Sequence, residues 1–175
     1  MSAQCRVLVV YYSRSGTTQR IAELLSSDLG ADLEAIREPG ELAARAGARG
    51  YVRSLIDVLC HRQVKVMPRI HDLSAYDAVV VGSPVWASHA SAPALAWLKE
   101  HGAAIRHLAL FCSLGGSGNE SALEQMAKAA GKSPLATCAI TARNLQRHID
   151  GTKRQGFGQK IRHRLAKLHE AEWMA

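Results

Sequence analysis

The sequence lacks the features that would indicate export, a membrane anchor or a scaffold held by metal or disulfide bonds. Its 175 residues include four cysteines, Cys5, Cys60, Cys112 and Cys138, which are widely scattered, and three of them lie in or beside apolar runs. This spacing suits small buried side chains better than a disulfide framework or a zinc site. The apolar runs are far too short to span a bilayer, and no export signal is visible. We therefore expect a cytoplasmic protein with no metal and no membrane partner.

Acidic side chains are scarce relative to basic ones. Fifteen Asp and Glu residues stand against 22 Lys and Arg residues, which gives a net charge of +7 and an isoelectric point near 9.5. Such a surface attracts phosphorylated cofactors, acidic proteins or nucleic acid. Much of the charge lies in residues 143–167, where Asp150 is the one acidic residue. Because no aromatic platform or base-reading motif accompanies it, we interpret this segment as a solvated helix face, with a nucleic-acid surface as the alternative.

Two hydrophobic periods alternate along the chain. Short apolar and β-branched runs predict five strands, at residues 6–12, 32–37, 78–81, 108–112 and 135–140. Apolar residues at helical spacing predict helices at residues 17–29, 92–101, 120–130 and 159–172. The alternation predicts an α/β fold with a parallel sheet and helices on both faces. The length favours a single domain over residues 1–175.

An insertion of about residues 38–67 separates the second and third predicted strands. Within it, Tyr51, Leu55, Val58 and Leu59 have the spacing of an amphipathic helix. The simpler interpretation is that this helix packs against its own sheet. A flap or a homodimer surface is the alternative, because the apolar side chains need a partner.

The loop after the first strand has the composition of a phosphate site. In an open parallel sheet, ligands bind beyond the carboxyl ends of the strands, where the strand order reverses. This loop consists of Ser13, Arg14, Ser15, Gly16, Thr17 and Thr18 and leads directly into a helix. Helix N–H groups, flanking hydroxyls and the Arg14 charge suit a phosphate dianion, and Gly16 allows close wrapping of the backbone. The alternative is that Ser15 or Thr17 merely caps the helix, since the loop matches neither the P-loop nor the dinucleotide fingerprint.

The loops after the third and fourth strands suit a flat ring. The second loop consists of Pro84, Val85, Trp86, Ala87 and Ser88, followed by His89. Trp86 follows a polar turn, which favours a ligand platform over a core position. The third loop consists of Ser113, Leu114, Gly115, Gly116, Ser117 and Gly118, and its glycines allow backbone amides to approach a ligand edge.

At these residues the chain resembles the flavodoxin family. Ser13, Ser15, Gly16 and Thr18 match in register the family's phosphate loop, which reads Ser/Thr, any, Ser/Thr, Gly, any, Thr, and residues 76–86 resemble its third strand and flavin-contacting loop. The resemblance implies a three-layer sandwich of five parallel strands in the order 2-1-3-4-5. It also implies one FMN, with its phosphate on the first loop and its isoalloxazine between the second and third. FMN is implied over FAD because there is one monophosphate loop.

Two departures from the family pattern bear on function. Electron-carrier flavodoxins are typically acidic and often cover the ring with a second aromatic from the third loop, whereas this chain is basic and its third loop has none. We therefore expect an open ring face and an FMN-dependent oxidoreductase that passes electrons from NAD(P)H to a small acceptor such as a quinone. The main alternative is an electron carrier that takes electrons from a reductase protein and docks an acidic redox partner. A flavin-free module with a nucleic-acid-binding C-terminal helix is the third.

No side chain of this chain needs to act as a nucleophile, because flavin chemistry resides in the cofactor. His89 is a weak catalytic candidate as a proton or hydrogen-bond donor near the ring, and an exposed loop histidine is the simpler interpretation. Cys112 lies just before the third loop, yet its apolar strand favours an inert buried thiol.

Overall fold

The computed structural model describes residues 5–39 and 65–174, and strands and helices alternate along them as the apolar periods predict. The strands are β1 (Val7–Tyr11), β2 (Asp32–Ala35), β3 (Ala78–Trp86), β4 (His89–Ala90), β5 (Leu108–Leu114) and β6 (Thr137–Thr141). The helices are α1 (Thr17–Leu29), α2 (Ala92–His101), α3 (Asn119–Ala130), α4 (Ala142–Gln146) and α5 (Gly151–Trp173), with short 3₁₀ turns at Leu73–Ala75 and Gly102–Ala104.

One sheet carries the fold. Its strands run in the order β2-β1-β3-β5-β6, all parallel, and the two-residue β4 pairs antiparallel with the end of β3. With β4 set aside, this is the predicted order 2-1-3-4-5, and the flavodoxin-like α/β fold is confirmed. The order reverses between β1 and β3, so the loops after β1, β3 and β5 lie beside the reversal point.

Helices cover both faces of the sheet. Alternate residues of each strand point to opposite faces, so Leu8 and Val10 lie in one buried cluster and Val7 and Val9 in the other. On the first face, α2 and α3 contribute the buried residues Ala94, Trp97, Leu98, Ala122 and Met126. On the second, α1 and α5 contribute Ile21, Leu25, Phe157, Ile161 and Leu165. Each fully buried large aliphatic side chain stabilises the fold by about 1.5–3 kcal/mol relative to an exposed one.

The third strand is longer than predicted. The sequence at Gly82, Ser83 and Pro84 predicts a turn after residue 81, whereas β3 continues to Trp86 beside β5. Pro84 is tolerated there because β1 pairs no further along β3 than Gly82, so no ladder needs an N–H from Pro84 on that side. A Cβ built on Gly82 would lie 2.0 Å from the ring of Phe111, so this glycine makes room for a side chain of the neighbouring strand.

Three further elements differ from the prediction. The sequence predicts neither the strand β4 nor the helix α4, because two and five residues are too few to show a hydrophobic period. The final helix α5 begins at Gly151, not at residue 159, although its first two turns contain poor helix formers. Gly158 fits there because it packs against Leu29 of α1, where a Cβ would come within 3.3 Å of Cδ2.

Part of the predicted insertion, including its helix at residues 51–60, lies outside the described residues. Within residues 5–39 and 65–174, none of the helices has both the length and the apolar composition needed to cross a membrane.

Candidate functional site

The first loop forms a tight turn at the N-terminus of α1. Gly16 has φ of 89°, a left-handed conformation that favours glycine, and its N–H donates to Ser13 Oγ at 3.1 Å. Among the described residues no side chain caps α1, and its first turn contains no acidic residue. The first N–H groups of a helix have no partner within it and carry the positive end of its dipole. The turn therefore offers backbone donors to an anion, which favours the phosphate interpretation over simple capping.

The second loop is a β-hairpin. Val85 pairs with Ala90 and Trp86 with His89, and the two residues between them, Ala87 and Ser88, form the turn. Both turn residues have positive φ, 47° and 64°, as a type I′ hairpin turn requires. Trp86 therefore lies at the carboxyl end of the sheet, on a strand segment that is held by its pairing with β4.

Trp86 joins the second loop to the first. Its indole is half-buried and meets the ring of Tyr12 edge to face, with centroids 6.3 Å apart and planes at 88°. The guanidinium carbon of Arg14 lies 5.6 Å from the Trp86 ring centroid, which is within cation–π range. The Tyr12 hydroxyl in turn donates to Glu38 Oε2 at 3.1 Å. The Trp86 side chain is thus held by aromatic and cationic contacts from the phosphate loop side.

The third loop is joined to the first by a buried hydrogen bond. Thr18 Oγ1 and Ser113 Oγ lie 2.7 Å apart, and both residues are almost completely buried. Beyond Leu114, the residues Gly115, Gly116 and Ser117 are exposed. Apart from the glycine itself and its chain neighbours, no described residue has an atom within 4 Å of a Cβ built on Gly115 or Gly116. The sheet end of this loop is therefore fixed, while its glycines border open space.

The second and third loops also touch. Gly118 has φ of 95°, and a Cβ built on it would lie 2.6 Å from the Cα of Ser88. Because a side chain there would collide with the hairpin turn, glycine permits the close approach of the two loops. All three pairs of loops are thus in contact, and the predicted site residues form one continuous structure.

The hydrogen-bond donors and the open surfaces of the three loops fit the phosphate and the ring of FMN. The uncapped α1 turn with Arg14 beside it suits a phosphate dianion. The half-buried Trp86 and the open glycines of the third loop suit the two sides of a flat ring. Within the described part of the chain, no group of three or more His, Cys, Asp or Glu side chains is placed to hold a metal ion.

Comparison with known families agrees with this geometry. The sequence profile of the Flavodoxin family matches residues 6–148, which contain all three loops. The chain belongs to the flavodoxin family. A search of curated proteins found no match to the chain.

Solved structures of flavodoxin-like proteins share the fold. A flavoprotein in complex with FMN from Lactobacillus acidophilus NCFM has a TM-score of 0.68 at 19% identity, over 82% of this chain and 97% of that one. A flavodoxin, WrbA-like protein from Agrobacterium tumefaciens has a TM-score of 0.56 at 17% identity, over 93% and 98%. The apo form of an NADH:FMN oxidoreductase has a TM-score of 0.55 at 10% identity, over 93% and 89%. At these identities the similarity concerns the fold.

Two side chains that the sequence singled out lie near the site of this flavodoxin-family protein. His89 is half-buried on β4, and its Nδ1 lies 2.6 Å from the carbonyl oxygen of Ala87. That ring nitrogen is engaged within the hairpin, so His89 is part of a strand and not the exposed loop histidine of the simpler interpretation, and its catalytic role stays a prediction. Cys112 is fully buried in β5, and burial raises the pKa of its thiol to about 12. A thiol with such a pKa stays protonated at neutral pH and is a poor nucleophile.

Sequence reasoning missed the residues that hold the loops together. Tyr12 reads as the last apolar residue of a strand, and Gln125 as a polar residue on a helix surface, so neither carries a sequence signal. In the structure, Tyr12 contacts Trp86, and the Gln125 side chain bonds to the second loop. The backbone N–H of Ser91 donates to Ser83 Oγ at 2.9 Å. This buried hydrogen bond corresponds to no sequence motif.

Proposed function

We propose that this protein binds one FMN in its three joined loops and is an oxidoreductase that passes electrons from NAD(P)H to a small acceptor such as a quinone. The proposal rests on one combination of features. The first turn of α1 has no side-chain cap, Trp86 is held in place by its contact with Arg14, and Gly115 and Gly116 border open space. We place this activity in a single domain spanning residues 1–175.

The residues of the first loop hold the phosphate. The N–H groups at the start of α1 and the hydroxyls of Ser13, Ser15 and Thr17 are the donors, and Arg14 adds a positive charge. The basic net charge lowers the electrostatic cost of binding a dianion. Family membership and the complex of the Lactobacillus flavoprotein with FMN both support this cofactor.

The residues of the second and third loops flank the ring. Bound FMN supplies the electron-accepting and electron-donating chemistry at this position. Trp86 covers one side of the ring, while the glycines of the third loop leave the other side accessible to a small planar molecule. The shared fold of the NADH:FMN oxidoreductase supports a nicotinamide as the donor class.

Absorbance of the purified protein tests the proposal. We expect flavin bands, at about 370 and 450 nm as is typical of bound flavin cofactors, and bleaching under anaerobic conditions when NADH or NADPH is added. Re-oxidation by a small quinone completes the test. Protein that shows no bands even after FMN is offered contradicts the proposed cofactor.

A variant at Gly116 tests the open side of the ring. Gly116 has no positive φ and borders open space, so a side chain fits there without strain. We expect Gly116→Tyr to retain FMN and to lower kcat/KM for a quinone by about tenfold, which corresponds to 1.4 kcal/mol. Gly116→Ala is the matched control, because it adds a Cβ without an aromatic ring. Equal kcat/KM in the two variants would contradict access through this side.

A specific observation favours an electron carrier as the second candidate. Exposed cations follow one another along α5, at Lys153, Lys160, Arg162, Arg164 and Lys167, and they form a surface suited to an acidic protein. A carrier of this kind would keep its flavin bands in the presence of NAD(P)H and lose them when a reductase protein is added. Its electron transfer to an acidic partner would slow as salt is raised.

A further inference from the structure

The turn of the second loop adopts a conformation that its residues do not favour. Ala87 and Ser88 have φ of 47° and 64°. In the left-handed region a Cβ crowds the following carbonyl oxygen, so residues other than glycine, asparagine and aspartate rarely adopt it. Contacts from outside the turn are needed to hold such a conformation.

Helix α3 supplies these contacts through one side chain. Gln125 Oε1 accepts the N–H of Ala90 at 3.3 Å, and Gln125 Nε2 donates to the carbonyl oxygen of Ser88 at 3.4 Å. Gln125 Nε2 also donates to Ser121 Oγ, one turn earlier on the same helix, at 3.1 Å. The amide therefore joins two backbone groups of the hairpin to α3, and Ser121 orients it.

The geometry of the hairpin makes these backbone groups available. Trp86 and His89 flank a two-residue turn, so they form the hydrogen-bonded pair of the hairpin. In the next pair, Val85 and Ala90, the backbone groups point away from the partner strand. The Ala90 N–H would thus be left without a β3 acceptor, and Gln125 provides one.

We propose that Gln125 is a positioning residue of the cofactor site, which fixes the Ala87–Ser88 turn and, through the pairing of His89 with Trp86, the position of the indole. This inference rests on the proposed binding of FMN. Gln125 acts through the hairpin and not by touching the ring. Gly118 supports the same turn from the third loop by its close approach to Ser88.

The first test needs no cofactor. Gln125→Met keeps the length of the side chain and removes both polar contacts, whereas Glu124→Met changes the exposed neighbouring residue of α3. Hydrogen exchange of the Ala90 amide in the FMN-free protein is expected to speed up about tenfold in Gln125→Met and to stay unchanged in Glu124→Met. Unchanged exchange in Gln125→Met would overturn the proposal whether or not the protein binds FMN.

The second test measures the cofactor site. We expect Gln125→Met to raise the FMN dissociation constant about tenfold and to shift the midpoint potential of bound FMN, with little change in melting temperature. Ser88→Gly accommodates the positive φ without strain, so in that background the same Gln125 substitution should cost less than threefold. An equal loss in both backgrounds, or an unchanged affinity and potential, would count against the positioning role. Failure of the unaltered protein to bind FMN would instead contradict the proposed function.

Discussion

The guanidinium carbon of Arg14 lies 5.6 Å from the centroid of the Trp86 ring, so the phosphate loop and the ring loop meet through these two side chains. The sequence predicts that Arg14 contributes positive charge to the phosphate site. In the structure its guanidinium also contacts the Trp86 indole. A single residue therefore lies between the two halves of the proposed FMN site, where it can affect both the phosphate and the ring.

Substitution of Arg14 separates these two contributions. We expect Arg14→Ala to raise the dissociation constant for FMN about tenfold, and that for riboflavin about threefold, because riboflavin lacks the phosphate but keeps the ring. The smaller factor corresponds to a cation–π contact of about 0.5–1 kcal/mol. Fluorescence titration of the flavin measures both constants. Arg162→Ala removes the same charge from α5, where Arg162 bonds to the carbonyl oxygen of Asp28, and should alter neither constant beyond a twofold change.

The buried pair of Thr18 and Ser113 is expected to couple the first and third loops. Thr18→Val preserves the shape of the side chain and leaves the Ser113 hydroxyl without its partner, so the free energy of unfolding should fall by about 1–2 kcal/mol. Adding Ser113→Ala to Thr18→Val should lower the free energy of unfolding only slightly further, because it removes the hydroxyl that has lost its partner. Urea unfolding of the two single variants and the double variant measures this, and strictly additive losses would show that the two side chains do not interact.

Gly82→Ala is expected to destabilise the fold, because the new Cβ would overlap the Phe111 ring in the neighbouring strand. Overpacking of this kind costs about 1–3 kcal/mol. Gly156→Ala is the matched control: this glycine lies within α5 and borders open space, so alanine should stabilise the helix by about 0.5–1 kcal/mol. Thermal unfolding compares the two, and a tolerated Gly82→Ala would mean that β5 can shift away from β3.

Stability should fall as the pH drops below about 6.5, the ordinary histidine pKa. Burial holds the pKa of His101 below that value, with Arg69 lowering it and Glu100 and Glu34 raising it. Below pH 6.5 the unfolded chain binds a proton that the folded protein does not, so the free energy of unfolding decreases until the folded pKa is reached. The slope from one such group is at most about 1.4 kcal/mol per pH unit.

Urea unfolding at pH 7.5, 6.5 and 5.5 gives that slope. His101→Gln should reduce it, and His163→Gln, at an exposed position of α5, should leave it unchanged. The pKa of His107 is also lowered by burial, so part of the slope should remain in His101→Gln. An identical slope in the unaltered protein and in His101→Gln would exclude His101 as its source.

Sequence periodicity predicted the elements whose apolar pattern matches their environment. The bounds of α1 agree with the prediction because Ile21 and Leu25 lie on its buried face and Gly30 ends it in a left-handed conformation. The end of β3 could not be predicted in the same way, since Gly82 and Pro84 ordinarily mark turns. Their place in a strand depends on a partner, β5, that only the tertiary structure supplies.

The sequence predicted which loops form the candidate site, but it did not predict the side-chain contacts that join those loops. The phosphate loop has a local sequence signature, because helix start, hydroxyls and glycine occur within six residues. Tyr12 and Gln125 have none, since their contacts with the second loop join residues that are distant in the chain. The FMN contacts of the individual loop residues remain predictions.

The C-terminal helix α5 belongs to the hydrophobic core, although it lies beyond the residues that match the family profile. The flavodoxin match ends at residue 148, yet Phe157, Ile161 and Leu165 of α5 are buried in the same cluster as Ile21 of α1. A chain cut where the family match ends would keep every loop of the proposed site and the helix α1, but it would lose α5 and so expose part of one face of the sheet. The family profile therefore describes a sheet whose second buried cluster is completed by a helix that the profile does not include.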